Sequence, residues 1–260
     1  MRLRHITKHV QDQNWFAVTL DFLIVVVGVF IGIQVSNWND AQADVRRGAE
    51  LTEQLTADLR MEAWSYARLI GYYSDVLTEA ERAVGALEGQ HDLTDEALLI
   101  SAYRATQHTN HLRSIATYEE LTSTGAMGLI RDAAVRNTAV RLYTHPVFAQ
   151  LEQESVGSAY RAHFRMSLPN DVQDSLARNC GDRSIERGDF EGIGSILGYP
   201  CTSGLEPDAI AAAAAIIRSD TLLLRQLRRR VSDPKTRIDN LTTGNVDILE
   251  GLRAVAREMP

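Results

Sequence analysis

The sequence predicts an all-α protein, in which one N-terminal transmembrane helix continues into a long amphipathic helix and an antiparallel helical bundle, broken by one irregular Gly/Pro-rich loop. Three observations predict it. Residues 16–35 form an apolar run of the ~20-residue length that spans a hydrocarbon core. Beyond it, Leu51, Leu55, Leu59, Tyr66, Leu69, Ile70, Tyr73, Leu77, Ala80, Val84 and Leu87 recur mainly at steps of three and four, the stripe of a helix with one buried face. All prolines lie at or beyond Pro146, so none breaks a helix before that point.

The apolar run is the first element. Residues 22–33 carry no polar side chain, Asp21 precedes them, and Trp15 and Trp38 bracket the segment as interfacial anchors. A buried core helix would be striped, whereas this one is apolar all round. Ala41-Gln42-Ala43 has the small-x-small form of a signal-peptidase site. The apolar run nevertheless exceeds the ~7–15 residues of a signal-peptide core and follows a long polar stretch, so an uncleaved anchor is expected. Arg2, Arg4 and Lys8, with His5 and His9, precede the run against a single Asp12. After it, Asp40, Asp44 and Glu50 balance Arg46 and Arg47. The positive-inside rule then assigns residues 1–14 to a cytoplasmic tail, 15–38 to the membrane and 39–260 to an extracytoplasmic, periplasmic domain.

Inside the span, Asp21, Val25, Gly28, Gly32 and Ser36 fall on one helical face. A carboxylate costs ~2.5–3.5 kcal/mol near the bilayer centre, and small residues four apart let two backbones approach closely. The face is therefore a candidate membrane-helix interface. The competing reading is that glycines are common in membrane helices and that Asp21 snorkels to the headgroups.

The elements beyond the span follow in order. The long helix is expected to run to about Gly89, with Gly48 and Gly71 as possible bends. Asp92 or Thr94 caps a second helix ending near Thr106. Residues 118–121, 131–143 and 147–166 read as further helices, separated by Ser123-Thr124-Gly125 and His145-Pro146. Gly125 suits a positive-φ turn and Asp132 a helix cap. Glycines and prolines gather between Pro169 and Pro207, where an irregular loop or short helical turns, pinned by the cysteine pair, are expected. Two last helices are expected over 207–231 and 234–257, each with proline in its first turn. The run from Ala211 to Ala215 marks close packing. Cys180 and Cys201 are the only cysteines. In an oxidising compartment they would close a loop worth ~3 kcal/mol; in the cytoplasm they would be two thiols.

Two blocks carry a resemblance. The string from Asp21 to Asp40, ending in Gln34, Asn37, Trp38 and Asn39, and the block Thr117-Tyr118-Glu119-Glu120-Leu121, Ser123, Gly125, Leu129-Ile130-Arg131-Asp132 and Arg136 resemble a large bacterial family of uncharacterised single-pass membrane proteins. That family usually has Gly-Glu before the apolar run, where this chain has Leu20-Asp21; one family Asn before the Trp is Ser36 here. The resemblance reaches about Tyr143. It implies an inner-membrane anchor plus a helical extracytoplasmic domain, and it brings no activity with it.

Chemistry is sparse. The net charge of −7 argues against nucleic acid as a partner. His108 and His111 are three apart but lack a third metal ligand at a defined spacing, and read as surface histidines. Gly192, Gly194 and Gly198 lack the Lys-Ser/Thr of a phosphate loop. Arg225, Arg228, Arg229 and Arg230 read as a basic helix end that complements the helix dipole. If a small molecule binds, Tyr118, Glu119, Arg131 and Arg136 are the polar cluster expected to meet it. No catalytic residue, cofactor or metal is expected. The leading expectation is a non-enzymatic structural or accessory subunit whose partners are the bilayer and itself or another membrane protein. The alternatives are an ion-coupled motor subunit using Asp21 and a ligand-sensing helical domain.

Overall fold

The computed structural model describes residues 15–148, 158–257 and 259. Among the described residues every regular element is helical. The α-helices are α1 (Trp15–Leu87), α2 (Asp95–Ala105), α3 (Ala116–Ser123), α4 (Ala133–Thr144), α5 (Ala159–Ser167), α6 (Asn170–Cys180), α7 (Pro207–Ser219), α8 (Thr221–Thr242) and α9 (Val246–Val255), with 3-10 turns at Ala126–Leu129 and Glu191–Ser195.

The spine is α1, 73 residues without a break, about 110 Å at ~1.5 Å per residue. Its first half carries no packing: every side chain from Val18 to Arg47 is exposed, and burial begins at Gly48. From there two apolar clusters form along it. The nearer joins Leu55, Leu59 and Tyr66 to Leu121 of α3, Leu142 of α4, Leu241 of α8 and Leu252 of α9. The farther joins Ala80 and Ala83 to Leu98 and Leu99 of α2, Phe164 of α5, Leu176 of α6, Ile217 of α7 and Leu227 of α8. Along the nearer cluster residues 62–69 are buried on every face, so α1 is there a central helix rather than an amphipathic one. Two stretches return along it. Thr94 caps α2 by accepting from the Ala97 N–H at 3.2 Å, and the chain then runs antiparallel to α1 until Thr117 N–H meets Asp58 Oδ2 at 3.1 Å. Arg228 Nε near the start of α8 donates to Glu88 Oε1 just past the end of α1 at 2.6 Å, and Leu241 O near its end accepts from Tyr66 Oη at 2.8 Å, so α8 is antiparallel as well.

The corner after α3 follows its sequence cues. Gly125 has φ +69° and Asp132 Oδ1 accepts from the N–H groups of Ala134 and Val135. Elsewhere the boundaries need correction. Gly48 and Gly71 make no break in α1; a Cβ at Gly48 would stand 2.6 Å from Leu129 O, so this glycine permits close approach of the 3-10 turn. The helix expected over 147–166 has a fresh start at Ser158, which is extended and accepts from Arg161 N–H; residues 149–157 lie outside the described ones.

The stretch expected to be irregular from Pro169 holds α6. Val172, Leu176 and Cys180 of α6 are buried at four-residue spacing, a stripe hidden by the surrounding prolines and glycines. The irregular part is 181–206. The last two helices become three. Asp220 Oδ1 accepts from Leu222 and Leu223 N–H and so starts α8, and Pro234 lies inside α8 rather than at a helix start. The proline forfeits one ladder bond there, and its ring is buried. The arginines 225–230 are consequently mid-helix, not a helix end.

Candidate membrane-spanning arm and buried polar seam

The exposed half of α1 is long and apolar enough to cross a membrane, with a mean hydropathy of 2.4 over its best window. Phe22, Val25 and Phe30 are each more than 60% exposed, and a water-facing helix of this kind would forfeit ~1.5–3 kcal/mol per large apolar side chain. Such a surface marks a membrane or protein contact. Trp38 is exposed at its outer end. Trp15 begins the helix, but its side chain lies outside the described residues, as does the tail 1–14 on which the orientation argument rests. Asp21, Val25, Gly28, Gly32 and Ser36 are all exposed, and a Cβ added to Gly28 or Gly32 would meet nothing within 4 Å. The chain's own domain leaves this face bare.

Inside the domain lies a feature that the apolar stripe conceals. A second, polar stripe on α1 consists of Asp58, Glu62, Ser65, Arg68, Tyr72, Asp75 and Glu79, spaced by three and four. Such a stripe reads as a solvated face, yet Glu62, Ser65, Arg68 and Tyr72 are buried. Much of it is covered by the stretch 107–115, which has no regular structure, so that apart from Gln107 N–H on Arg104 O and Ile115 O under Glu119 N–H its backbone groups need partners from elsewhere. Side chains supply them. Arg230 donates to Ala105 O at 2.9 Å and to Gln107 O at 2.6 Å, Arg161 to Thr106 O at 2.9 Å, Tyr73 to Thr109 O at 2.8 Å and Arg68 to Asn110 O at 2.5 Å. Tyr72 donates to the Asp182 carboxylate, and burial with that charge beside it pushes the phenol above its ordinary range. Burial and the nearby Arg161 hold the His108 imidazole below its ordinary value.

His111 sits between Ser65 and Glu62, with Nδ1 at 3.2 Å from Ser65 Oγ and Nε2 at 2.6 Å from Glu62 Oε2. Hydroxyl, imidazole and carboxylate in that order form the relay of an activated nucleophile. Here the order serves packing. Ser65 is 0% exposed and its Oγ already accepts from Leu112 N–H, Glu62 also accepts from Ser114 N–H, and the imidazole stacks on Phe148 at 3.9 Å. A hydroxyl sealed from solvent meets no substrate. The reading of His108 and His111 as surface histidines is corrected: both lie against α1, because the extended stretch folds back on it.

The other predicted residues are placed as follows. Tyr118 packs on Tyr143 with ring centroids 4.7 Å apart and Arg136 donates to Ile130 O at 3.0 Å, while Glu119 and Arg131 are exposed. Two of the four thus belong to the packing of the corner. Cys180 and Cys201 are bonded, with Cα atoms 5.5 Å apart. Of the four arginines, Arg228 pairs with Glu88, Arg230 is buried, and Arg225 and Arg229 are exposed. In the run 211–215 only Ala213 and Ala214 are buried. Gly192 N–H is held by Asp189 Oδ1 at the start of the 3-10 turn Glu191–Ser195, a short helical turn in place of a plain loop. An open cleft of about 800 Å³ between α1, α4 and α9 is lined by Thr56, Arg60, Asn137, Arg141, Asp247 and Glu250, with charges of both signs. No family model, curated protein or solved structure matches the chain.

Proposed function

We propose that the protein is a non-enzymatic, single-pass inner-membrane protein that serves as an interaction subunit. Its residues 15–38 cross the membrane, its N-terminus is cytoplasmic, and its helical domain stands on the periplasmic side. The observation that carries this reading is the bare glycine face of α1 in an apolar arm that nothing in the domain covers. Two further features support it. The Cys180–Cys201 bond suits an oxidising compartment. Glu62, Ser65, Tyr72 and His111 of the seam are engaged in holding the stretch 107–115 and the Asp182 loop onto α1, which favours a packing role for them.

Purification of the tagged full chain from membranes in mild detergent tests it. Another membrane protein or a second copy is expected to co-elute. Gly28→Leu together with Gly32→Leu should remove that partner at least tenfold while membrane levels of the chain stay unchanged. Elution of the wild-type chain alone as a monomer would contradict the reading. Asp21 lies on the same face, so an ion-coupled role is the second reading; under it, Asp21→Asn abolishes the cellular function but preserves co-elution.

A further inference from the structure

The Cys180–Cys201 bond closes the irregular loop, and loop closure asks nothing of the surroundings of the two sulfurs. Here each sulfur has a partner suited to its reduced form. Arg104 Nη2 stands 3.4 Å from Cys201 Sγ, and a guanidinium beside a sulfur favours the thiolate. Cys180 Sγ stands 3.5 Å from Thr202 O, an acceptor that a thiol S–H can use and a disulfide sulfur cannot. Access is uneven: Cys201 is half-buried, whereas Cys180 is 0% exposed. Noncovalent contacts hold Cys201 on both sides. Two residues before it, Tyr199 Oη donates to Gly181 O at 2.6 Å. Two residues after it, Ser203 N–H and Oγ donate to Glu96 Oε1 at 2.7 and 2.6 Å, and Ser203 O accepts from Ser175 Oγ of α6 at 2.8 Å. The sulfurs therefore stay neighbours when the bond between them is broken.

We propose that Cys180 and Cys201 are a reversible redox pair that exchanges with a dithiol through Cys201. One thiolate of the dithiol attacks Cys201 Sγ, the more accessible of the two. The new bond joins the dithiol to Cys201, and the electron pair of the broken bond passes to Cys180 Sγ, which takes up a proton and turns its S–H to Thr202 O. The second thiolate of the dithiol then closes its own disulfide, and the electron pair released stays on Cys201 Sγ as a thiolate against Arg104. Two electrons thus pass from the dithiol to the protein; one of its protons ends on Cys180 and the other in solvent. Oxidation reverses these steps, with Cys201 as the nucleophile. Without a dithiol the bond is the resting state, since the anchored ends keep the two thiols at a high effective concentration. The state of the pair reaches α1, because the loop between the cysteines carries Asp182, which accepts from Tyr72, and Asp189, whose carbonyl accepts from Trp64.

Thiol kinetics on the full chain in mild detergent test the proposal. The chain has no other cysteine, so Cys180→Ser and Cys201→Ser each leave one thiol. With dithiobis-nitrobenzoate as the probe at neutral pH, the thiol left at Cys201 is expected to react at least tenfold faster than the one left at Cys180. Its rate should rise with pH around a midpoint below the ordinary thiol value of about 8.5. Arg104→Gln added to Cys180→Ser should return that midpoint to the ordinary value, while Arg104→Lys keeps it low. A wild-type arm needs no substitution and stands if a variant fails to fold: dithiothreitol should open the bond without denaturant, and brief iodoacetamide treatment should then modify Cys201 before Cys180. Opening of the bond only in denaturant overturns the proposal. So does a Cys201 thiol that reacts no faster than Cys180, or one that ionises at or above about 8.5.

Discussion

Arg104→Ala is expected to lower the unfolding free energy by about 3–5 kcal/mol, the loss that follows when one partner of a buried ion pair is removed. Arg104 is 4% exposed and makes four contacts on three residues, Glu79, Cys180 and Tyr199. Its Nη1 lies 3.2 Å from Glu79 Oε1, Nη2 donates to Tyr199 O at 2.7 Å, Nε donates to Cys180 O at 3.3 Å, and the guanidinium stacks 4.8 Å from the Tyr199 ring. The arginine therefore ties α2 to α1 and to both ends of the disulfide loop. Alanine leaves Glu79 with Ser101 as its remaining close donor inside the fold and strips two carbonyls of their donors. In a domain of this size the loss reads as a fall in melting temperature on the order of 10 °C, measurable by circular dichroism on the detergent-solubilised full chain. Adding Glu79→Gln to the alanine variant should recover part of it, because the uncompensated charge is then gone. A fall under about 1 kcal/mol would show that the four contacts do not act together.

The second large effect is expected from Cys180→Ser with Cys201→Ser. The bond spans a sequence separation of 21, for which loop-closure entropy gives about 3 kcal/mol. The loop does more than close: it carries Asp182, which receives Tyr72, and Asp189, which receives Trp64. Loosening it removes the cover from the middle of α1. Wild-type protein in reductant should melt with the double variant, and the double variant should be indifferent to reductant. Thiol labelling in intact cells adds a compartment test. Cys180 and Cys201 should resist labelling until reduced; free thiols in cells would contradict a periplasmic domain.

The long spine was legible because its stripe of leucines and tyrosines repeats for more than ten turns without proline. The corner at Gly125 and Asp132 was legible because each residue has a local reason, a positive φ and a cap. The failures share a cause of a different kind. Asp220 and Ser158 begin helices inside runs that look continuous, since a single capping side chain outweighs helical periodicity on both sides. Pro234 sits within α8, where a buried tertiary environment tolerates the lost bond. The polar seam was hidden most thoroughly. Glu62, Arg68 and Tyr72 look like a solvated face until one knows that residues 107–115 form no helix and need partners for their own backbone. His111 belongs to that same account, as a buried link between Glu62 and Ser65.

All of this hangs on α1 emerging from the domain as a membrane span. Membranes from cells expressing the full chain can be washed with alkaline carbonate, which strips proteins held only at the surface. The protein is predicted to remain in the membrane pellet and to leave it only with detergent. Release into the carbonate supernatant would show that residues 15–38 do not cross the bilayer, and that the apolar arm is covered by another protein instead.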